Sequence, residues 1–540
     1  MRVIGYHILN GFVINSDGES ATENLLDFLI EYKPDTIKVF YNLDYAVANL
    51  FKWLNIDDKS LRKLINTQEL YIPPYKFGYM SKKYFNVQYG GGKGKGFANF
   101  SDMYQFHRNS DMTDLEPHEY AKTAQDIGQQ VYEALHKLEL NPTSLTSPVR
   151  CWEKEVISQI DIPTLDDIPE PAAKMAYNCC DGGWVEAFQK GHYDKTWDYD
   201  MRSAYGSFTR NLLDTRAGKW INTELYDPAC YYGFALCDIE ITAPFSPIPY
   251  INKGKDSEEL TPIGKWRRCL TKQHIDFILK YRLGNIDIID GWWWFPDKLV
   301  YPFESMIDYL YQAKETAKTA IEKDVVKRIL AGIWGKFLQV NRNARKDDDP
   351  FGALFNPVWA AQVETGCRLT TAAFVLDNHL EKNVLHVAVD GALTNRPVPV
   401  METGAIGEWK LSGTGKAFVL SSGICALESR DMPVDEPDGK ENGDFVLRYG
   451  WLLDQIMTMP NSPEYTLDKL SPVTIQKAVT HGKMAKLGQH EEIVKTVDIT
   501  FETKREYDRL PETGAQLMRR HYMSKPKDLN AIAEIRECVE

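Results

Sequence analysis

Blocks of apolar and polar residues change period several times along the chain. Near the N-terminus, strand-like runs at 2–8, 11–14 and 36–41 alternate with helix-like stretches at 22–32 and 45–55. Strands of period two that alternate with amphipathic helices are typical of an α/β layer. The N-terminal pattern therefore predicts a sheet covered by helices.

The second half of the chain carries another set of predicted strands and helices. Apolar runs at 197–199 and 384–388 predict strands. Helix-period text covers 302–333 and breaks near its middle. A further helix is expected to start at Pro357 and to end near Asp377. The whole pattern predicts an α/β protein of several domains.

Three segments interrupt these patterns. The glycine-rich basic run Gly90–Gly96 predicts a mobile loop between two strands. The proline-rich acidic text of Asp161–Lys174 predicts a linker or the rim of the next unit. The charged stretch 341–350 predicts a polar loop. These segments are natural places for domain boundaries.

Composition limits the class of protein more than its function. A chain of 540 residues exceeds what one hydrophobic core supports, so roughly three to five subdomains are expected. No apolar run reaches the ~18 residues of a membrane helix and the start lacks signal-peptide features, so we expect a cytoplasmic protein without a membrane partner. The nine cysteines form no Cys-x-x-Cys pair, which disfavours a zinc site. A net charge of −13 does not indicate a nucleic-acid binder, although a channel needs only local positive charge.

The segment WDYDMRSAYGSF carries the strongest candidate chemistry. It places Asp200, Ser203 and Tyr205 directly after a strand-like lead-in, and Gly206 marks a tight turn. A carboxylate at a strand end, followed by a turn that folds back over it, can hold a divalent cation. The backbone N–H groups of the same turn can bind a phosphate chain. Tyr205 would then lie against the group that carries the phosphates.

A second carboxylate, Asp390, lies in the apolar segment VLHVAVDGALT. The pair Asp390–Gly391 is a strong signal for a type I′ hairpin turn. Taken alone, Asp390 has the plain interpretation of a turn residue. Together with Asp200 it predicts a two-metal site, in which carboxylates on adjacent strand ends support an in-line phosphoryl transfer. Asp198 shares a strand face with Asp200, but the spacing to the downstream turn favours Asp200.

The segment EKDVVKRILAGIWGKF predicts a lysine face on a helix. Lys323 and Lys327 lie one turn apart, and Ala331 and Trp334 are expected to continue the same face. Two stacked ammonium groups suit a triphosphate, and the small and aromatic side chains beyond them suit a base pair. A solvated lysine face over an apolar core is the alternative. Lys314, earlier in the helical tract, is a weaker candidate of the same kind.

These motifs, in this order, resemble those of the family B DNA polymerases. The Asp200 segment is similar to motif A, the segment from Lys327 to Gly335 to motif B, and the Asp390 hairpin to motif C. CDGGWVEAFQKG is similar to the template-binding segment of the family, since its adjacent glycines, Gly182 and Gly183, would let a phosphate backbone approach closely. An ordinary turn before a strand is the alternative for this pair.

The resemblance implies a right-hand polymerase fold with palm, fingers and thumb, and a role for each matched residue. Two Mg²⁺ ions, or Mn²⁺ in their place, would be held by Asp200, Asp390 and the backbone carbonyl of Met201. The ring of Tyr205 would exclude a 2′-hydroxyl, which implies deoxynucleotide substrates. DNA contacts are implied for Gly182, Gly183, Ser203, Gly335 and, after motif C, Lys416. The chain departs from the family motifs at Cys180, Gly206, Ala331, Gly332, Trp334, His386, Ala388 and Gly391.

The N-terminal part resembles the proofreading exonuclease domain of the family, which has an RNase H-like fold. Asn42 and Asp44 match its second motif, and Tyr120 and Asp126 its third, with a longer spacing. The first Asp-x-Glu motif is missing, because the chain is expected to begin about where the second strand of that domain begins. Asp17-Gly18-Glu19 has similar letters in a turn context, so we interpret it as a loop. The resemblance implies a retained fold without editing activity.

The resemblance divides the chain into six predicted domains. Residues 221–300, read as short strands and loops, resemble the first terminal-protein-region insert of the protein-primed, phage-type branch. The mild basic excess of 471–527 is compatible with phosphate contacts in a thumb. The predicted domains are an exonuclease-like domain (1–145), palm with motif A (146–220), insert (221–300), fingers (301–345), palm with motif C (346–427) and thumb (428–540).

Three functions stay open at this point. The first is a template-directed DNA polymerase that extends a primer with dNTPs in phage or mobile-element replication, in the cytoplasm of a bacterial host. The second is a decayed polymerase kept as a DNA-binding or assembly factor. The third is an initiator that needs no primer or uses a terminal priming protein. Primer–template DNA is the expected partner in the first case.

Overall fold

The computed structural model describes residues 1–9, 11–31, 35–90, 96–106, 115–252, 258–340, 350–430, 438–439 and 446–529. The chain divides into two compact units. Unit 1 comprises Met1–Ile160, Tyr309–Gly332 and Asp468–Lys495, and unit 2 comprises Asp161–Asp308, Ile333–Leu467 and Thr496–Glu540. The predicted loops at Gly90–Gly96 and 341–350 each lie mostly outside the described residues. The six predicted domains group the chain differently from these two units and stay a prediction.

Residues 1–160 alternate between strands and helices, as predicted. The strands are β1 (Arg2–Leu9), β2 (Phe12–Asn15), β3 (Ser20–Ala21), β4 (Thr36–Phe40), β5 (Glu69–Ile72), β6 (Tyr75–Met80), β7 (Tyr84–Tyr89) and β8 (Phe97–Asp102). The helices are α1 (Leu25–Ile30), α2 (Leu43–Trp53), α3 (Asp58–Thr67), α4 (Pro117–Lys137) and α5 (Pro148–Gln159).

These strands form one mixed sheet in unit 1, in the order β3-β2-β1-β4-β8-β7-β6-β5. β1 pairs antiparallel with β2 and parallel with β4, so it is a central strand. α4 packs directly on β1 at Gly5, where a Cβ would lie 1.9 Å from the carbonyl oxygen of Ala121. The expectation that the chain begins at the second strand of the exonuclease domain stays a prediction. The sequence of β1, RVIGYHIL, contains no carboxylate.

Residues 161–340 contain helices that the pattern did not predict. The strands are β9 (Val185–Ala187), β10 (Gln189–Met201), β11 (Gly218–Asn222), β12 (Tyr232–Ile241), β13 (Tyr250–Asn252), β14 (Glu258–Leu260), β15 (Gly264–Thr271) and β16 (Gly284–Pro296). The helices are α6 (Glu170–Tyr177), α7 (Ala204–Arg210), α8 (Lys272–Tyr281), α9 (Glu304–Glu315) and α10 (Ala320–Gly332). α6 lies partly within the predicted linker, and α8 lies in the stretch predicted as strands and loops. The break in the tract at 302–333 is confirmed between α9 and α10.

The rest of the described chain contains the predicted hairpin and the long predicted helix. The strands are β17 (Val384–Ala388), β18 (Gly391–Thr394), β19 (Trp409–Ser421), β20 (Ile424–Leu427), β21 (Asp438–Gly439), β22 (Val446–Leu447), β23 (Glu464–Pro472), β24 (His490–Asp498), β25 (Arg505–Tyr507) and β26 (Tyr522–Pro526). The helices are α11 (Pro357–Asp377), α12 (Tyr449–Thr458), α13 (Ile475–Thr480) and α14 (Gly514–Arg519). α11 has the predicted ends.

Unit 2 is built on an antiparallel sheet in the order β20-β19-β10-β18-β17-β9, and β26 also pairs with β10. A separate four-stranded sheet, β11-β16-β12-β15, covers most of the stretch predicted as an insert. α11 is buried along almost its whole length, which is typical of a helix surrounded by protein. None of the helices in the described part of the chain combines the length and the apolar character of a membrane-spanning segment.

A buried ion pair anchors β9 at the edge of the main sheet of unit 2. Glu186 is 1% exposed and accepts hydrogen bonds from Arg505 (2.8 Å), Trp184 Nε1 (2.7 Å) and Thr261 Oγ1 (2.6 Å). The same residue pairs with Val387 of β17. Arg505 is itself buried, so its charge depends on this partner.

We expect Glu186→Ala to lower the free energy of unfolding of unit 2 by about 3–5 kcal/mol, because it leaves the Arg505 charge buried and unpaired. Urea unfolding followed by circular dichroism measures the change. The exposed cross-strand carboxylate Glu240, changed to Ala, is the matched control and should hardly move the midpoint. Equal midpoints for the two variants would contradict the role of the buried pair.

Candidate active site

The main sheet of unit 2 brings the two predicted carboxylates together. Asp200 lies near the end of β10 and pairs with Gly391, the first residue of β18. Asp390 directly precedes Gly391, and its carbonyl oxygen accepts a hydrogen bond from the N–H of Met201 (3.0 Å). The two aspartates therefore lie at adjacent strand ends, as the sequence predicted.

The turn before Gly391 differs from the prediction by one residue. Ala388 pairs with Gly391, so the two central turn residues are Val389 and Asp390, and Gly391 already belongs to β18. Val389 has φ = 57°, a left-handed conformation that is strained for a β-branched residue. Its N–H donates to Trp184 O (2.7 Å), and its carbonyl accepts from Thr371 Oγ1 (3.0 Å). These bonds hold the strained turn and thus the position of Asp390.

Asp200 has a partner that the sequence did not predict. Lys410 of β19 is directly opposite Asp200 in the β10–β19 register, and its Nζ lies 3.0 Å from Asp200 Oδ2. The lysine and aspartate side chains are 33% and 36% exposed. Asp200 thus contacts the ammonium group of Lys410 on one side and lies next to the Asp390 turn on the other.

Asp198, the competing carboxylate, is already paired. Its side chain is 8% exposed and its Oδ2 lies 2.6 Å from Arg430 Nη2. Burial raises the pKa of Asp198, and the Arg430 guanidinium opposes this shift. A buried carboxylate held by an arginine is a poor ligand for a further cation, which supports the choice of Asp200.

The negative charge of both site aspartates reaches a buried thiol on α11. Burial raises the pKa of Cys367, and the carboxylates of Asp390 and then Asp200 raise it further. Cys367 packs in a small cluster with Met201 and Ala204, at the junction between β10 and α7. The two carboxylates therefore act on the same side chain, one from β10 and the other from the turn before β18.

The donor set fits magnesium bound with its substrate. No group of three or more His, Cys, Asp or Glu side chains suited to a metal occurs in the described part of the chain. Mg²⁺ is commonly bound by one or two carboxylates and takes its remaining oxygens from substrate phosphates and water. Asp200 and Asp390, with the Met201 carbonyl at the end of β10, match that type of site and not an all-protein cage.

Tyr205 lies in the first turn of α7, directly after the candidate metal ligands. Ser203, at φ = 49°, precedes the helix, and its carbonyl accepts from the N–H of Ser207 (2.9 Å). The Tyr205 ring stacks on Trp334, with centroids 4.9 Å apart and an angle of 24°. Burial raises the pKa of Tyr205. The predicted nucleotide-site residues Tyr205 and Trp334 are thus in contact.

The predicted lysine face is correct for α10 and wrong beyond it. Lys323, Lys327 and Ala331 are exposed along one face of this helix, which belongs to unit 1. α10 ends at Gly332, and Trp334 begins a 3₁₀-helix in unit 2, so the α-helical face does not continue to Trp334. Lys314, in α9, lies 3.2 Å from Glu315 and over the ring of Tyr311.

Both glycines of the predicted template segment have structural reasons to be glycine. Gly182 has φ = 76°, its N–H donates to Glu364 Oε2 (2.9 Å), and its carbonyl accepts from Arg368 Nη2 (3.1 Å). A Cβ on Gly183 would lie 2.7 Å from Cγ2 of Val389. The segment therefore supports the Asp390 turn, and contact with DNA stays a prediction.

Two charged residues of α11 that hold Gly182 were missed by the sequence reasoning. Glu364 is 5% exposed and Arg368 is 2% exposed, and Arg368 also pairs with Glu259 (2.8 Å). Burial raises the pKa of Glu364 to about 7, although the Gly182 N–H and Arg368 oppose the shift. The sequence did contain a signal for this buried pair. Glu364 and Arg368 are four residues apart, and every other residue of α11 before its last position is uncharged.

The remaining predicted DNA contacts are exposed. A Cβ on Gly335 would meet no heavy atom within 4 Å, so packing does not require glycine there. Lys416 lies on β19, six residues after Lys410, and its backbone N–H donates to Glu428 Oε2 (2.9 Å). Contact of either residue with DNA stays a prediction.

The predicted second exonuclease motif is enclosed by protein. Asp44 is 5% exposed and accepts hydrogen bonds from Tyr79 Oη (2.6 Å), Ser81 Oγ (2.7 Å) and the N–H of Lys82 (2.9 Å). Asn42 precedes α2 at φ = 59°. Burial, and after it the negative charge of Asp44, raises the pKa of the neighbouring Asp102 to about 7. Through these hydrogen bonds, Asp44 connects α2 to β6 and to the turn between β6 and β7.

The predicted third exonuclease motif does not place its residues together. The Tyr120 ring contacts the His7 ring of β1 at an interplanar angle of 42°, and its hydroxyl donates to the carbonyl of Tyr41 (2.9 Å), whereas Asp126 is exposed. Six residues along α4 turn the two side chains to different faces. Asp17-Gly18-Glu19 forms the turn between β2 and β3, as expected for a loop.

Comparison with solved structures identifies the fold. Phi29 DNA polymerase in a ternary complex with primer–template DNA and incoming nucleotides superimposes with a TM-score of 0.64 at 14% identity, covering 92% of this chain and 99% of that one. The same polymerase with single-stranded DNA gives 0.62 at 14% identity, covering 92% and 100%. Its orthorhombic crystal form gives 0.59 at 13% identity, covering 98% and 99%.

No family model and no curated protein sequence matches the chain. At this level of identity the superposition shows the fold alone. The chain therefore has the mixed α/β, multidomain fold of the Phi29 DNA polymerase structures, over almost their full length.

The raised pKa of Glu364 predicts a pH dependence of stability. A folded-state pKa near 7, above the usual 4.5, means that the native protein binds this proton more tightly than the unfolded chain. The free energy of unfolding should therefore fall by up to roughly 3 kcal/mol as the pH rises from about 4.5 through 7. Glu364→Gln should remove this loss, so the variant gains on the wild type at pH 8 relative to pH 5. A difference that stays constant between these pH values in urea titrations would contradict the prediction.

Proposed function

We propose that this protein is a template-directed DNA polymerase that adds dNTPs to a primer 3′ end. The observation that carries the proposal is the pairing of Asp200 with Gly391, which puts the carboxylates of Asp200 and Asp390 at adjacent strand ends. The fold shared with Phi29 DNA polymerase supports the same class of reaction. That polymerase was solved with primer–template DNA and nucleotides, and we propose the same partners here.

Several residues of this chain would take part in phosphoryl transfer, each with a different role. Asp200, Asp390 and the Met201 carbonyl would hold two Mg²⁺ ions, or Mn²⁺ in their place. The chemistry supplied at this site would be activation of the primer hydroxyl and neutralisation of charge on the transferring phosphate. The first-turn N–H groups of α7, which have no partners within the helix, would be available to the phosphate chain.

Other residues would bind the nucleotide and the DNA. Lys323, Lys327 and Lys314 supply positive charge for the triphosphate. Tyr205, stacked on Trp334, would lie under the sugar, and Ala331 would border the base pair. DNA contacts are proposed for Gly182, Gly183, Ser203, Gly335 and Lys416.

The N-terminal unit is proposed to lack proofreading activity. β1 carries no carboxylate, Asp44 is buried and accepts hydrogen bonds from Tyr79, Ser81 and Lys82, and Asp126 lies on a different face of α4 from Tyr120. A two-metal nuclease needs several carboxylates in one open site. The domain keeps a structural or single-strand-guiding role.

We further propose that the enzyme replicates the DNA of a phage or mobile element in the cytoplasm of a bacterial host. The full-length match to Phi29 DNA polymerase is the basis for this setting. A different form of this proposal is that replication starts from a terminal priming protein and not from a primer. An assay with template and dNTPs but no primer separates initiation from extension.

Removal of either site carboxylate should stop polymerisation. We expect Asp200→Ala and Asp390→Ala each to reduce primer extension by about 10³-fold, because each removes several kcal/mol of metal-borne stabilisation of the transition state. Extension of a labelled primer in Mg²⁺ measures the rate, and the same gel reports any loss of the 3′ end. The wild type should extend the primer and leave its 3′ end intact.

The control for this experiment is Asp194→Asn. Asp194 lies on β10 like Asp200, but its side chain is 90% exposed. This variant should extend the primer at the wild-type rate. Full activity of either alanine variant, or an inactive wild type that binds DNA, would overturn the polymerase proposal and favour a decayed DNA-binding factor.

Tyr205 should set the choice between deoxyribonucleotides and ribonucleotides. Tyr205→Ala removes the ring that would collide with a 2′-hydroxyl, so the preference in kcat/KM for dNTP over rNTP should fall by roughly 10- to 100-fold. Tyr205→Phe keeps the ring and should keep the preference. Single-nucleotide incorporation with matched dNTP and rNTP measures both, and unchanged selectivity in the alanine variant would exclude this role.

A further inference from the structure

The Lys410–Asp200 pair differs from an ordinary surface ion pair in its surroundings. The two residues are directly opposite across β10 and β19, with 3.0 Å between Nζ and Oδ2. A second cross-strand pair, Lys265–Glu240, has the same register relation in the β12–β15 ladder, with 3.4 Å between the charged atoms. Only the first pair lies beside another site carboxylate, since Gly391 on the far side of Asp200 follows Asp390.

Two adjacent carboxylates repel each other unless a cation lies between or beside them. In the chain without metal, the Lys410 ammonium supplies that positive charge to Asp200. Both side chains are about one-third exposed, so the pair is accessible to solvent and to ions. A divalent cation that binds Asp200 must therefore compete with an ammonium group for the same carboxylate.

We propose that Lys410 is a built-in counterion of the metal site, which holds Asp200 in the metal-free protein and is displaced when the cation binds. The inference rests on the proposed function in one respect, namely that Asp200 and Asp390 hold the cation. It assigns to Lys410 the regulation of that site. Before the cation binds, the lysine reduces the repulsion between the two carboxylates. Because it competes for Asp200, it also lowers the affinity of the site for metal.

Removal of the ammonium should have two effects of opposite sign. Without metal, Lys410→Met removes the ammonium partner of Asp200 next to the Asp390 turn, so the thermal midpoint of unfolding should fall. With metal, the competitor is gone, and the affinity for Mn²⁺ should rise about tenfold, the usual effect of removing one like charge near a charged site. Lys410→Arg keeps the charge and should stay close to the wild type in both measurements.

The test uses the full chain without DNA or nucleotide. Free Mn²⁺ is followed by electron paramagnetic resonance at constant ionic strength, and thermal midpoints are recorded with and without Mn²⁺. Lys265→Met is the matched control, because it removes a lysine from an equivalent cross-strand pair that lies away from the site; its Mn²⁺ affinity should equal that of the wild type. Asp200→Asn in the Lys410→Met background should abolish the gained affinity.

Unchanged or weaker Mn²⁺ binding by folded Lys410→Met, or no binding by either protein, would overturn the inference. An increase that persists after Asp200→Asn would also overturn it, because the ion would then be bound elsewhere. Failure of the proposed function is a different result. In that case Lys410→Met gains Asp200-dependent Mn²⁺ binding, and the wild type still extends no primer.

Discussion

The antiparallel pairing of β10 with β18 is the constraint on which the candidate site depends. It fixes Asp200 opposite Gly391 and so brings Asp390, from a distant part of the chain, to the neighbouring strand end. The Met201 N–H closes the arrangement by donating to the Asp390 carbonyl. A shift of one residue in this register would turn the Asp200 side chain to the other face of the sheet. The juxtaposition of the two aspartates is therefore a property of strand register.

The strained turn at Val389 needs support from several elements. Trp184 and Thr371 bond its backbone, and Gly183 leaves room for its side chain. Behind this layer, the buried charges of Glu364 and Arg368 hold the backbone of Gly182. Buried charges of this kind are costly, and their conformational use here is to fix a loop that supports the Asp390 turn. The geometry of the site therefore depends on residues outside the aspartate pair.

Much of the fold could be predicted from local sequence signals, and the remainder depends on tertiary context. The start of α11 follows from Pro357, and the hairpin follows from two apolar runs on either side of an Asp–Gly pair. The exact turn could not be derived, because pairing with β9 and β10 on either side sets its register. The Lys410–Asp200 contact was out of reach for the same reason, since it joins strands distant in sequence. The meeting of Asp200 and Asp390 at adjacent strand ends could be predicted, because it follows from residue type and spacing within two short segments.

The central claim is that Asp200 and Asp390 bind the same pair of cations. Its most direct measurement is anomalous X-ray scattering from crystals of the chain grown with primer–template DNA, a non-reactive nucleotide and Mn²⁺. We expect two anomalous peaks about 3.5–4 Å apart, each within bonding distance of a carboxylate of this aspartate pair. Manganese bound elsewhere, or the two carboxylates turned to separate positions with no ion between them, would contradict the account.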